Sequence, residues 1–205
     1  MWKRTSLIGA STLVALAIAT GCSGSDEPEH PAGHTSSSGA AAAPTASAAA
    51  EAHNDADVMF AQHMIPHHQQ AIEMSDMLLG KHGIDPPVVQ LANQIKAAQG
   101  PEIQQMQGWL TEWGTPAMPP MSGHDTPSMQ GMMSEQDMTG LKDAQGVDAS
   151  KLFLTQMIAH HEGAITMAQT EIKDGQYPAA VELAHAIVTT QQQEIDTMKS
   201  ILATL

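Results

Sequence analysis

A fifteen-residue stretch of this chain occurs twice. Phe60-Ala61-Gln62-His63-Met64-Ile65-Pro66-His67-His68-Gln69-Gln70-Ala71-Ile72-Glu73-Met74 returns 93 positions later as Phe153-Leu154-Thr155-Gln156-Met157-Ile158-Ala159-His160-His161-Glu162-Gly163-Ala164-Ile165-Thr166-Met167, with Phe, Met, Ile, His, His, Ala, Ile and Met kept in place. A second block follows each copy. Leu91, Ala92, Ile95, Gln99, Glu102, Ile103 and Met106 return at Leu183, Ala184, Ile187, Gln191, Glu194, Ile195 and Met198, now with an offset of 92. One residue has been lost between the blocks, so each copy is a unit of two elements and the whole is duplicated.

The elements have the period of a helix. Phe60, Met64, His67, Ala71, Met74 and Leu78 step by four and three, with Ile65, His68, Ile72 and Leu79 as the adjoining stripe. Asp55 or Asp57 is expected to cap the first helix, and Gly80 to Gly83 to end it. Asp85-Pro86 opens the second as a cap followed by proline at the first helical position, and Trp113-Gly114 closes it. A third helix is expected from about Asp148 to Gly175, and a fourth from Pro178 to the C-terminus. Short turns make each pair an antiparallel hairpin, while Thr115 to Gly146, rich in Pro, Gly and Met, reads as one long connection. The expected fold is therefore all-α, a four-helix bundle from two duplicated antiparallel hairpins with one long crossover. Its domain spans 54–205: repeat one 54–114, the Met-rich crossover 115–147, repeat two 148–205. Pro66 removes the hydrogen bond to the Gln62 carbonyl at a cost of about 3 kcal/mol, which predicts a kink before His67; Gly100-Pro101 predicts another.

The segment before the repeats is of another kind. Lys3 and Arg4 precede an apolar run from Leu7 to Ala19, too short for a permanent span and read as an export signal over residues 1–21. Thr20-Gly21-Cys22 then resembles a bacterial lipobox, with cleavage before Cys22 and a lipid on its sulfur. This predicts an exported protein anchored to the outer face of the cytoplasmic membrane, on the periplasmic side of the cell envelope. Loss of Lys3 and Arg4 with the signal takes the net charge from -14 to -16. Residues 22–53, almost all Ser, Gly, Ala and Pro with a few charges, cannot bury a core and are read as a disordered tether.

Composition narrows the chemistry. With 22 acidic against 8 basic residues the chain has no basic surface for nucleic acid. A single cysteine excludes a disulfide framework and a thiolate cluster, whereas 15 methionines and 11 histidines are an excess of thioether and imidazole. His67, His68, His160 and His161 all fall on apolar stripes, and a buried imidazole needs partners for both nitrogens. Counting outward from the turns near Gly83 and Gln176 places Gln99 and Gln191 level with His67 and His160, and Glu102 and Glu194 one turn further. Four His, two Gln and two Glu are thus expected to converge near mid-bundle. Met64, Met74, Met157 and Met167 lie within two turns of the histidines, a thioether–imidazole set that suits Cu(I), with Cu(II), zinc or iron as further candidates. The same methionines also serve as adaptable core residues. Met118, Met121, His124, Met129, Met132, Met133 and Met138 form a second candidate copper cluster in the crossover.

The motif Met-Ile-x-His-His-x-x-Ala-Ile-x-Met, followed by Gln-x-x-Glu-Ile, resembles the domain of unknown function 305 family over residues 54–205 and in both copies. The resemblance implies a four-helix, ferritin-like domain in a family whose members include exported copper-binding and copper-resistance proteins, and it points to Met64, His67, His68, Met157, His160 and His161. Three readings follow. The first is a lipid-anchored protein that sequesters copper or hands it to a transfer partner, alone or as a homo-oligomer, binding without turnover. The second is a ferritin-like oxidase with a di-metal centre, for which Glu182-Leu183-Ala184-His185 fits the Glu-x-x-His pattern while its counterpart, Gln90-Leu91-Ala92-Asn93, does not. The third is a structural or interaction lipoprotein whose histidines bond Gln99, Glu102, Gln191 and Glu194 and hold no metal.

Overall fold

A computed structural model of the protein describes residues 52–116 and 130–205. The signal, Cys22, most of the tether, Met118, Met121, His124 and Met129 lie outside the described residues. Among those described there are five helices and no strand: α1 (Asp55–Leu79), α2 (Pro86–Glu112), α3 (Glu135–Asp143), α4 (Gly146–Asp174) and α5 (Pro178–Leu202). No helix among them is long and apolar enough to cross a membrane. The four long helices start and stop close to the expected boundaries, and α3 corrects the reading of 115–147 as connection alone.

Local chemistry explains the boundaries. The cap of α1 is Asn54, not Asp55 or Asp57: its Oδ1 accepts the backbone N–H of Ala56 at 2.9 Å and of Asp57 at 3.1 Å, and Asp57 Oδ2 accepts the Asn54 N–H at 2.6 Å. A reciprocal cap of this kind contributes about 1 kcal/mol. Ser134 and Asp137 build the same box at the start of α3, which buries Leu141. Pro86 and Pro178 take the first positions of α2 and α5, where an N–H is not needed. α1 runs unbroken through Pro66, and α2 through Pro101.

Contacts fix how the helices run. His68 meets Glu102 and Asp76 meets Lys96, so α1 and α2 are antiparallel. Asn54 meets Asp174, His67 meets His160 and Gly83 approaches Gly146, so α1 and α4 are antiparallel too. The repeat carries residue 67 onto 160, and exchange of the two antiparallel helices turns this contact into itself. A pseudo-two-fold axis therefore passes through the His67–His160 pair.

The core obeys the same symmetry. One cluster holds Phe60, Met64, Ile103, Met106 and Ile187; the other holds their mates Phe153, Met157, Ile195, Met198 and Ile95. Between these two apolar cores lies a layer of buried polar side chains: His67, His68, Gln99, His160, His161 and Gln191.

At one end of the helices the symmetry is broken by an acid pair. Asp57 and Glu171 are both buried, where the mates are Ser150 and Leu78. Asp57 Oδ1 accepts the N–H of Gln176 at 3.0 Å and of Tyr177 at 2.9 Å, tying α1 to the turn before α5. Burial pushes Glu171 up to about 8, helped by its hydrogen bond to Asp57 and the charge there, so at neutral pH Glu171 is the acid that donates. Burial alone would raise Asp57 as well, but the hydrogen bonds from Glu171, Asn54, Tyr177 and Gln176 outweigh it and hold Asp57 below the usual carboxylate range. The native state retains on Glu171 a proton that the unfolded chain releases above the ordinary value of 4.5. Its contribution is complete below 4.5 and is lost as the pH rises through 8. Glu171→Gln, which cannot ionise, is expected to be more stable than the wild type at pH 9 but not at pH 5. Urea unfolding at both pH values checks this, and equal differences at the two would refute it.

Candidate metal centre

The histidines divide into an inner pair and two outer pairs. His67 from α1 and His160 from α4 face each other on the axis, with ring centroids 3.7 Å apart and planes inclined by 38°. His68, next to His67 and pointing about 100° away on the helix, donates its Nε2–H to Glu102 Oε2 at 2.7 Å. His161 does the same to Glu194 Oε2, also at 2.7 Å. Both outer imidazoles are fully buried, while the two glutamates are partly exposed. The repeat thus builds two copies of an imidazole held through Nε2 by a carboxylate, an arrangement that in metal proteins fixes which nitrogen faces the ion.

The expected convergence of eight side chains is corrected in its details. Glu102 and Glu194, placed one turn beyond the histidines, are their direct partners. Gln99 and Gln191 are buried at 2% and 3% exposure, yet neither atom of the Gln99 amide, nor Gln191 Oε1, has a hydrogen-bond partner. Among the described residues no three His, Cys, Asp or Glu side chains gather as a ready set of metal ligands. The methionines of the long helices are core residues: Met64 lies in one apolar cluster, Met74 and Met157 in the other, and Met167 packs on the first. Of the described crossover methionines, Met133 and Met138 pack against the second cluster, and Met132 is partly buried. Glu182 and His185, the one Glu-x-x-His match to a di-iron site, both point to solvent and not toward the polar layer.

Burial makes the inner pair poor bases. His67 is pushed down to about 3, first by desolvation, then by the charge His68 would add, against the Gln130 carbonyl that favours its charged form. His160 lies well below the ordinary imidazole value, chiefly through burial and then through His67, His161 and His68; the His67 backbone opposes this weakly. Both are neutral at physiological pH, the state in which imidazole ligates metal. The Nδ1 atoms of all four histidines and Nε2 of His160 are buried without a hydrogen-bond partner. An orphaned buried polar atom costs about 1–3 kcal/mol. Five such nitrogens in one layer are the donor chemistry that a soft or borderline cation takes.

Sequence reasoning missed one contact. The Gln130 carbonyl, in the crossover, accepts from His67 Nε2 at 3.2 Å. No pattern around Gln130 announces it, because a backbone carbonyl has no residue signature.

Duplicated hairpins with a buried histidine pair on their shared axis define an all-helical protein with an internal, paired-imidazole polar layer. The chain belongs to the DUF305 family, a domain of unknown function, whose model matches residues 57–202. Its fold is similar to that of a crystal structure of a DUF305 fragment from Deinococcus radiodurans, 35% identical, covering 74% of this chain and 98% of that one with a TM-score of 0.68. A DUF305 protein from Streptomyces coelicolor is 33% identical, covering 73% and 91%, with a TM-score of 0.67. CopM in its Cu(II)-bound form is 32% identical, covering 72% and 96%, with a TM-score of 0.63; CopM has also been solved with Cu(I) and with Ag bound. No curated protein matches the chain closely enough to count as a relative.

Proposed function

We propose that this protein is an exported, lipid-anchored copper-binding protein that sequesters the ion or passes it to a partner outside the cytoplasmic membrane. The observation that carries this reading is the buried His67–His160 pair, neutral, in ring contact and with unpartnered nitrogens. His68 and His161, each oriented by a glutamate, flank the pair. Imidazole suits copper and zinc alike, and copper is favoured because CopM takes Cu(II), Cu(I) and Ag. The ion is cargo in this reading, and no turnover is required.

The four long helices are read as a ferritin-like bundle with α3 added in the crossover. Residues 7–22 support export and a lipid on Cys22. The oxidase reading is disfavoured by the outward-facing Glu182 and His185, and the metal-free reading by the unpartnered imidazole nitrogens.

Titration of the full chain with Cu(I) and with Cu(II) against competing chelators tests the proposal. The wild type is expected to bind tightly, and the His67→Ala, His68→Ala, His160→Ala, His161→Ala quadruple variant to lose that binding. Binding that survives the four substitutions would move the site to the crossover methionines. No binding by either protein would overturn the copper reading.

A further inference from the structure

The crossover touches the histidine layer at one place, and the two repeats receive it differently. Gln70 and Gly163 are equivalent positions of the repeat. On α1, the Gln70 amide grips the Met133 backbone twice: Nε2–H donates to the Met133 carbonyl at 2.9 Å, and Oε1 accepts the Met133 N–H at 2.7 Å. On α4, Gly163 provides the seat by having no side chain. A Cβ there would lie 2.0 Å from the Gln130 carbonyl oxygen and 2.6 Å from the Gly131 Cα, distances no side chain tolerates. Gly131 itself has φ of +86°, and a Cβ on it would meet the Ala159 and His160 carbonyl oxygens at 2.9 Å. The segment is thus pressed onto α4 beside His160 and tied to α1 beside His67.

Its position decides the state of one imidazole. A carbonyl oxygen only accepts, so His67 Nε2 carries the hydrogen and, in the neutral ring, the lone pair is on Nδ1. Glu102 and Glu194 hold His68 and His161 through the same nitrogen. The crossover occurs once in a duplicated protein, so it can serve only one of the two axial histidines; neither ring nitrogen of His160 has a hydrogen-bond partner. We infer that the crossover is a working part of the histidine centre: the segment Gln130–Met133, seated by Gly163 and Gln70, positions His67 through the Gln130 carbonyl so that Nδ1 is its metal-facing nitrogen. Gly163, Gln70 and Gln130 are positioning residues, and the inference rests on the proposed function for its metal.

Two variants of the full chain test it. Gly163→Ala places a methyl group where the Gln130 carbonyl sits, and Gln70→Ala removes both bonds to Met133 without adding bulk. Nitrogen NMR of the imidazoles in the metal-free protein reads the tautomer, hydrogen exchange at the Met133 amide reads the seating, and competition titration with Ag(I) reads the affinity. In both variants His67 is expected to lose its fixed Nε2–H tautomer and the Met133 amide to exchange more than about tenfold faster. Ag(I) affinity is expected to fall by about 10- to 100-fold, the usual effect of removing a group that orients a ligand. A His67 tautomer unchanged while the Met133 amide is freed would overturn the inference, as would unchanged Ag(I) affinity in both variants. A wild-type protein that takes up no Ag(I) would sink the metal-facing role together with the proposed function. The metal-free tautomer would still show whether the crossover holds His67, so the two failures are distinguishable.

Discussion

Between pH 7 and pH 4 the metal-free protein is expected to lose about 3 kcal/mol of unfolding free energy through His67 alone. The ordinary imidazole value of 6.5 applies to the unfolded chain, and burial brings the native value to about 3. In the window between them the unfolded chain binds a proton that the folded one refuses. Stability from this group is therefore complete above 6.5 and declines as the pH falls toward 3. His160 is displaced in the same direction and adds to the loss. Urea unfolding at unit pH steps measures the slope. The His67→Gln, His160→Gln variant keeps polar groups at the axis but removes both titrations, and its stability should fall much less over this range. Equal slopes in the two proteins would show that the acid lability over this range comes from groups other than the two axial histidines.

The second large effect lies in the cores. Phe153 is completely buried, and its mate Phe60 is 5% exposed. Phe153→Ala is expected to cost about 3–5 kcal/mol, the transfer of the ring plus the cavity left behind. Phe60→Ala should fall in the same range. Because the two rings belong to separate clusters on either side of the polar layer, their costs should add within about 0.5 kcal/mol. Denaturant unfolding of the two single variants and the double variant checks both the size and the additivity. A marked shortfall from additivity would mean that the histidine layer transmits strain between the cores instead of separating them.

Much of this architecture is written in repeated residues. The period of Phe60, Met64, His67, Ala71 and Met74, doubled at Phe153 to Met167, marks the long helices, and the prolines at 86 and 178 mark two of their starts. Glu102 and Glu194 were legible as members of the expected cluster, though the count from the turns set them one turn beyond the histidines they in fact bond. The same count sets level along an axis but not direction around it: Gln99 and Gln191 lie in the buried layer, yet the Gln99 amide and Gln191 Oε1 have no hydrogen-bond partner. α3 was hidden by the Pro, Gly and Met around it, although Ser134-Glu135-Gln136-Asp137 carries a capping-box pattern. Asn54 was passed over for the aspartates beside it. The acid pair was not legible, since Asp57 and Glu171 are joined only by the antiparallel run of α1 and α4. The seat of the crossover escaped notice for a simpler reason: Gly163 acts by what it lacks.

The axis through His67 and His160 makes the chain a dimer of hairpins that never has to find its partner. A separate hairpin bearing one copy of the repeat would place its axial histidine opposite an equal only after a bimolecular encounter, at whatever concentration the cell supplied. The chain between Glu112 and Gly146 replaces that encounter with an intramolecular one, whose effective concentration is set by the connection and not by the cell. Fusion also frees the halves to diverge. Gln70 and Gly163, or Ser150 and Asp57, hold different residues at equivalent places, a division of labour that two identical subunits could not encode.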